Sequence, residues 1–140
     1  TGARDLLKKD VPYTSQLIND GVLAQMDMGT LLDYCAIQLN GKKAAGKEAV
    51  ININFTDTKE KVMLMLNNEV LNHRLDSQDK KADLTLEIAK MDFVKLFFGR
   101  TDLQTLLKTN KVRTTGNTKA MEVICSAYEP ADPNFKIVLP

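Results

Sequence analysis

The stretch that decides the fold is KADLTLEIAKMDFVKLFFGRTDLQTLLKTNKVRTTGNTKA, residues 81–120. Apolar and polar side chains alternate from Ala82 to Ile88, as they do in a strand with one face toward a core. Apolar residues then recur at helical spacing from Asp92 until Gly99, which is a typical helix stop. The stretch therefore begins with a strand that is followed directly by a short helix.

The rest of the stretch predicts a second helix, another strand and a third helix. Thr101 and Gln104 are spaced as a capping box, and the second helix would end at Asn110. Residues 111–115 favour a strand, and Asn117 is typical of the residue that caps a helix. The predicted order is strand, helix, helix, strand, helix.

Three further strands are predicted upstream. Val50 to Phe55 alternates apolar and polar residues, whereas Val62 to Leu66 is apolar on both faces. The second pattern indicates a central strand that is covered on both sides, or that turns one side toward a cavity. A turn at residues 67–69 leads into a strand from Val70 to Leu75, and the short connections predict three consecutive antiparallel strands. We expect an α+β fold with a mainly antiparallel five-stranded sheet covered by helices.

Two helices are predicted before the sheet. Thr14 or Ser15 would cap the first, and Asp27 would cap the second, which would end at Asn40-Gly41. Residues 42–47 are predicted to form a solvated loop.

Length and composition predict one domain. A chain of 140 residues with 44% hydrophobic residues can bury a single core. We assign residues 14–140 to this domain, and residues 1–13 to a linker or to the remnant of a preceding domain. The net charge of +1 comes from interspersed charges, which argues against nucleic acid as a partner. No apolar run is as long as a membrane span, so a transmembrane protein is not expected.

The sequence offers no set of residues for catalysis. His73 is the only histidine, and Cys35 and Cys125 each lie on the apolar side of a predicted helix, where buried thiols are favoured over a disulfide or a metal site. Asp57 and Asp83 fit a turn residue and an exposed strand residue better than an acid or a base. We therefore predict no catalytic residue, no metal ligand and no cofactor.

The sequence resembles two related families. Residues 81–120 resemble the second half of the sterol carrier protein type 2 fold, through Lys81-Ala82-Asp83-x-Thr85, Asp92-Phe93, Gly99-Arg100, Gly116-Asn117 and Ala120. A resemblance to the carboxy-terminal domain of bacterial alkyl sulfatases extends over nearly the whole chain, through residues 43–47, 55–58, 71–74 and 132–140. The sequence departs from many of these relatives at Asn110, where they carry Gly, and at Lys136, where they carry Asn.

This resemblance implies a lipid-binding role. Sterol carrier proteins of this type hold lipid between the sheet and the helices. In alkyl sulfatases the matching domain is thought to gather aliphatic substrates for a separate zinc-dependent metallo-beta-lactamase domain. The resemblance thus implies that this chain is a non-catalytic part of a zinc-dependent alkyl sulfatase. It leaves the compartment open, with the periplasm or the exterior of a bacterium as candidates.

Eight apolar residues are the predicted lining of a tunnel that a long-chain alkyl sulfate or fatty acid would enter. They are Met63, Met65, Phe93, Phe97, Leu103, Leu106, Met121 and Ile124. Periodicity alone favours an ordinary core, and the family resemblance shifts the balance toward the tunnel, with a last helix from Thr118 to Tyr128 as its lid. The alternative is a structural or interaction domain that packs against the rest of the enzyme or forms a homodimer.

Overall fold

The structure is a computed structural model in which residues 20–128 are described. The predicted linker, residues 1–13, lies outside that range. By contacts, helix α1 belongs to one compact unit, and residues 27–128 belong to a second. The elements are α1 Asp20–Gln25, α2 Met28–Ile37, α3 Gly41–Ala44, β1 Ala49–Phe55, β2 Lys61–Asn67, β3 Val70–Leu75, β4 Leu84–Ile88, α4 Lys90–Phe97, α5 Leu103–Lys108, β5 Val112–Gly116 and α6 Lys119–Ala127.

Five strands form one sheet in the order β3-β2-β1-β4-β5. The pairs β1–β2, β2–β3 and β4–β5 are antiparallel, which confirms the three consecutive antiparallel strands. The pair β1–β4 is parallel, because the chain leaves β3 at one edge and returns beside β1 on its far side. The α+β class and the five strands are therefore confirmed, and the sheet is mixed.

One face of this sheet, here called the helix face, carries the fully buried residues Ile51, Ile53 and Phe55. The ring centroid of Phe55 lies 5.7 Å from that of Phe93 in α4. Alternate residues of paired strands share a face, so Leu64 of β2 and Leu86 of β4 also belong to this face. The hydrophobic core of the sheet therefore lies under α4 and its neighbours.

The opposite face, here called the loop face, is crossed by residues 76–83. The side-chain amide of Asn52 donates to the carbonyl oxygen of Asp79 at 2.8 Å and accepts from its N–H at 2.9 Å. Gln78 donates to the carbonyl oxygen of Ile53 at 3.3 Å and to Oδ1 of Asn54 at 3.2 Å. These bonds explain how Asn52 remains 93% buried in the middle of a sheet, because its amide is paired on both sides.

Helix ends follow the sequence closely, with three corrections, of which one is that Thr118, and not the predicted Asn117, is the N-cap of α6. Asp27 caps α2 as predicted, since its carboxylate accepts from Thr30 N at 3.2 Å. Helix α5 is capped by Asp102, one residue after the predicted Thr101, through a bond of 2.8 Å from Thr105 N. The predicted loop at residues 42–47 begins instead with the one-turn helix α3, which Asn40 caps. Ala44 in that turn is fully buried, so a small apolar side chain anchors a segment that is otherwise rich in lysine.

Candidate functional site

Six of the eight predicted tunnel residues lie on the three helices that follow β4. Phe93 and Phe97 are on α4, Leu103 and Leu106 on α5, and Met121 and Ile124 on α6, so each pair is spaced to share one side of its helix. None of the six is more than 8% exposed.

The three helices are not equally close to one another. Helix α4 contacts α6, and the Cys125 thiol donates to the carbonyl oxygen of Leu96 at 3.6 Å. Helix α6 also packs against β1, whereas α5 packs against β5. The structure thus brings the α4 and α6 residues together over the sheet and places Leu103 and Leu106 beside its edge strand.

Met63 and Met65 are separated from the other six residues. The antiparallel register places Met63 opposite Asn52 and Met65 opposite Val50. Both methionines therefore belong to the loop face, while Phe93 packs against Phe55 on the helix face. A tunnel lined by all eight residues would have to pass through the sheet, so a tunnel on the helix face would not include the two methionines.

Every aromatic ring between residues 20 and 128 belongs to one connected group, here called the ring cluster. From Phe55 the contacts run to Phe93 at 5.7 Å, then to Phe97 at 6.3 Å and Phe98 at 5.0 Å. Tyr128 lies 5.7 Å from Phe97 and 5.1 Å from Phe98, and Tyr34 lies 5.8 Å from Phe98. These centroid separations are typical of favourable aromatic pairs.

The ring cluster extends from the core to the surface. Phe55, Phe93 and Phe97 are no more than 1% exposed, whereas Phe98, Tyr34 and Tyr128 are half-buried. Burial raises the pKa of both tyrosine hydroxyls above the ordinary value. One end of the cluster is therefore dry, and the other carries two phenol groups.

Sequence reasoning missed part of this group. Phe98 and Tyr128 carried a signal, since Phe98 adjoins Phe97 and Tyr128 lies on the apolar stripe of the last helix. Phe55 was predicted to face the core but was not linked to the tunnel. Tyr34 gave no comparable signal, because its place in the cluster depends on how α2 packs.

The two cysteines are largely buried, and His73 and Asp57 each have a polar partner. Burial raises the pKa of Cys35 and of Cys125 to about 12, so neither thiol is an activated nucleophile. His73 Nδ1 lies 3.7 Å from Asp33 Oδ1, and Asp57 accepts from the backbone N–H groups of Thr58 and Lys90. Both thiols are therefore protonated at neutral pH, and Asp57 holds the backbone at the start of α4.

Between residues 20 and 128, no group of three or more His, Cys, Asp or Glu side chains is arranged to hold a metal ion. In the same part of the chain, none of the helices is both long and apolar enough to cross a bilayer.

Two open depressions lie at one end of the sheet, with volumes of about 360 and 330 Å³. Both are lined by Lys59 and Lys61 with mostly polar residues, and the second also includes Phe55. Neither includes any of the eight predicted tunnel residues.

Comparison with known proteins gives consistent matches. The model of the family described as alkyl sulfatase C-terminal matches residues 16–140. An (R)-specific secondary-alkylsulfatase from Pseudomonas sp. is 32% identical over 146 residues, covering all of this chain and 21% of that protein. The structure of the stereoselective inverting sec-alkylsulfatase Pisa1 from Pseudomonas sp. matches 81% of this chain and 18% of that chain, with a TM-score of 0.74 and 29% identity.

The matched proteins differ from this chain in length, and one further match concerns only the fold. The chain spans about a fifth of the length of the curated relatives that it matches. The sterol carrier protein-2 like-3 from Aedes aegypti matches 66% of this chain and 92% of that chain, with a TM-score of 0.50 and 19% identity. This second likeness concerns the fold.

Proposed function

Because this chain belongs to the alkyl sulfatase C-terminal family, we propose that it is a non-catalytic domain that binds long alkyl chains. Residues 14–140 would form this domain, after a linker. The parent protein would be a zinc-dependent alkyl sulfatase, with the zinc in a separate metallo-beta-lactamase domain. The domain would recruit aliphatic sulfate esters to that hydrolase.

The observation that carries the proposal is the ring cluster, which includes rings of α4 and the residue that ends α6. It gives a continuous apolar path from the half-buried Phe98 to the fully buried Phe93 on α4, the helix that contacts α6. An alkyl chain placed along this path gains up to about 0.8 kcal/mol for each methylene that leaves water. The flexible Met121 side chain can adapt its shape to such a ligand.

Ligand entry requires the helices to part, because the six candidate residues are at most 8% exposed. Helices α4 and α6 are only 8 and 9 residues long, and helices of this length depend on tertiary packing for their stability. Such short elements are typical of segments that open locally. We therefore expect a tunnel that forms as the alkyl chain displaces contacts between α4, α6 and the sheet.

The test is displacement of an uncharged fluorophore, phenylnaphthylamine, from the 140-residue chain by alkyl sulfates. We expect one-to-one binding, with affinity that rises with chain length from hexyl to dodecyl sulfate, by at most about fourfold per methylene. We also expect no release of inorganic sulfate and no stoichiometric zinc. Affinity that is independent of chain length would contradict the alkyl-chain site, and sulfate release would contradict the non-catalytic role.

The same burial also favours a second candidate function, a structural or interaction domain without ligand. In that case the six residues are permanent core, and partners would use exposed apolar side chains such as Ile37, Val70 and Leu75, which are 77%, 49% and 47% exposed. The partner would be the catalytic domain or a second copy of the chain. A concentration-dependent dimer in sedimentation, with no fluorophore uptake, would favour this function.

A further inference from the structure

Strand β3 is an edge of the sheet, and half of its backbone groups face outward. Just after β3, the N–H of Asp76 donates to the carbonyl oxygen of Lys61 at 2.8 Å, so this pair is joined by hydrogen bonds. Hydrogen-bonded and non-hydrogen-bonded pairs alternate in an antiparallel ladder, and the register then assigns every second residue of β3 to the outer edge. The residues whose N–H and C=O groups point away from β2 are Leu71, His73 and Leu75.

These outward backbone groups have no hydrogen-bond partner within residues 20–128. An open strand edge can pair with an added strand, because main-chain hydrogen bonds supply affinity whatever the sequence of that strand. Apolar side chains also lie at this edge, since Val70 and Leu75 are 49% and 47% exposed. The outer edge of β3 is therefore suited to bind an extended chain.

Helix α2 lies on the helix face of β3 and limits what can bind beside it. Leu75 Cδ1 is 3.6 Å from the position of a Cβ atom on Gly29, and His73 Nδ1 is 3.7 Å from Asp33 Oδ1. If a second copy continued the sheet through its own β3, the two strands would be about 4.8 Å apart, and each would carry its α2. Packed helices need axes about 8 to 10 Å apart, so the two α2 helices would collide. The edge can thus accept a single extended strand but not a second copy of this domain.

The loop face of β3 determines the chemistry of that strand. Arg74 is exposed, belongs to this face and forms no ion pair within residues 20–128. A carboxylate directly opposite it on an added strand would form a favourable cross-strand pair. The other edge strand, β5, differs, because its Arg113 already lies 3.6 Å from Glu87 and its Val112 is buried. Of the two edges, β3 is the one that favours a strand with apolar and acidic side chains.

We propose that the outer edge of β3 is a docking site for an extended segment with alternating apolar and acidic side chains, supplied by the longer polypeptide of which this domain is a part. The chain spans about a fifth of the length of its curated relatives, so other segments of a protein of that length are tethered to the domain. Tethering raises the effective concentration of such a segment and compensates for the low affinity of a short strand. This inference rests on the second candidate function and not on alkyl-chain binding, and it adds the surface and the chemistry of the partner.

The test follows the backbone amides of the 140-residue chain by nuclear magnetic resonance during titration with a synthetic peptide. The peptide has seven residues and blocked ends, with valine at the odd positions, threonine at the second and sixth positions and glutamate at the fourth. At millimolar peptide, we expect the amides of Leu71, His73 and Leu75 to shift and to exchange more slowly with water. The amides of β5, at the other edge, should not change and serve as an internal control.

Two changes test the hydrogen bonds and the charge separately. The same peptide with every amide N-methylated cannot donate to the edge and should not bind. Arg74→Glu should weaken binding of the glutamate peptide by about two- to fivefold and should strengthen binding of a peptide with lysine in place of glutamate. Arg113→Gln, on the other edge strand, should change neither affinity.

Several results would overturn the inference. Protection of amides outside β3, equal binding of the N-methylated peptide, or no binding at millimolar peptide would reject the docking edge. Unchanged affinities in Arg74→Glu would reject an acidic partner. Dimerisation that protects the β3 amides without peptide would mean that a second copy occupies the edge. None of these results bears on alkyl-chain binding, which the fluorophore assay measures separately.

Discussion

The carbonyl oxygen of Asp83 lies 2.6 Å from the position that a Cβ atom on Gly116 would occupy. The same oxygen accepts the N–H of Asn117 at 2.8 Å. The Asp83 carboxylate accepts the N–H of Val50 at 2.8 Å, and the Asp83 N–H donates to the Val50 carbonyl oxygen at 2.8 Å. Asp83 thus joins the start of β1 to the turn between β5 and α6. The sequence predicted only that Asp83 would be an exposed residue of a strand, so this connecting role is new.

Gly116→Ala should destabilise the fold by at least about 2 kcal/mol. The residue has a φ of +107°, and its Cβ would collide with backbone atoms that cannot rotate away. Gly46→Ala is the control, because Gly46 has a φ of +75° but no atom within 4 Å of the added Cβ, so about 1 kcal/mol is expected. Denaturant unfolding measures both variants, and equal losses would show that the close approach to Asp83 has no energetic effect.

Met121→Trp and Ile124→Trp distinguish a tunnel from a permanent core. Both residues are at most 1% exposed, so overpacking should cost about 1 to 3 kcal/mol in either case. If an alkyl chain displaces the contacts of these residues, each change should also lower the affinity for dodecyl sulfate, whereas a permanent core has no such affinity to lose. Ile37→Trp is the control, since Ile37 is 77% exposed. A lower midpoint in a protein that never binds alkyl chains would reject the tunnel.

Cys35 and Cys125 should resist alkylation in the folded protein. Burial raises the pKa of each thiol to about 12, so the reactive thiolate is scarce at neutral pH. We expect iodoacetamide at about pH 8 to modify neither residue on the timescale of its reaction with a free thiol, and to modify both in denaturant. Mass spectrometry of the alkylated protein measures this, and rapid native labelling of Cys35 would contradict its position in the core.

The N-cap of α5 should make stability depend on pH in the acid range. The hydrogen bond that Asp102 accepts from Thr105 N lowers the pKa of its carboxyl group below the ordinary 3.8. A lowered pKa in the folded state means that the contribution is complete above about pH 5 and is lost as the pH falls through the lowered folded value. Asp102→Asn retains a cap without the charge.

We therefore expect the stability difference between the unmodified protein and Asp102→Asn to be constant from about pH 5 to 8 and to change below the ordinary pKa. Chemical unfolding at several pH values measures this difference. A difference that is the same at pH 3 and pH 7 would show that the Asp102 charge does not contribute to the cap.

Local patterns in the sequence predicted most of the secondary structure. Alternation located β1 and β4, and Gly99 and Asn110 end their helices with left-handed φ values of +76° and +59°. These signals are sufficient to locate strands and helix ends, because each depends only on a few residues that are neighbours in the chain. The capping residue of α5 was misplaced by one position, since Thr101 and Asp102 are both acceptable caps and packing decides between them.

The face of β2 could not be predicted in the same way. The strand has apolar side chains on both faces, so alternation gives no direction for Met63 or Met65. Their placement depends on the register with β1, where Asn52 is held by Asp79 in the crossing segment. A contact between residues so distant in the chain leaves no local pattern, and this is why the sequence could not show that two of the eight candidate residues lie on the other face of the sheet from Phe93.

The crossing of residues 76–83 over the loop face has a consequence for the order of folding. Strands β1, β2 and β3 pair with their neighbours along the chain, whereas β4 can pair with β1 only after a long loop closes. Loop closure costs entropy before the parallel contacts form, so contacts of this kind are made slowly. We expect the three-stranded meander to form first and β4 with β5 to join it later. In native-state hydrogen exchange, the amides of β5 should then exchange through an opening that leaves the β1–β2 amides protected, and identical opening energies would mean that the sheet assembles in one step.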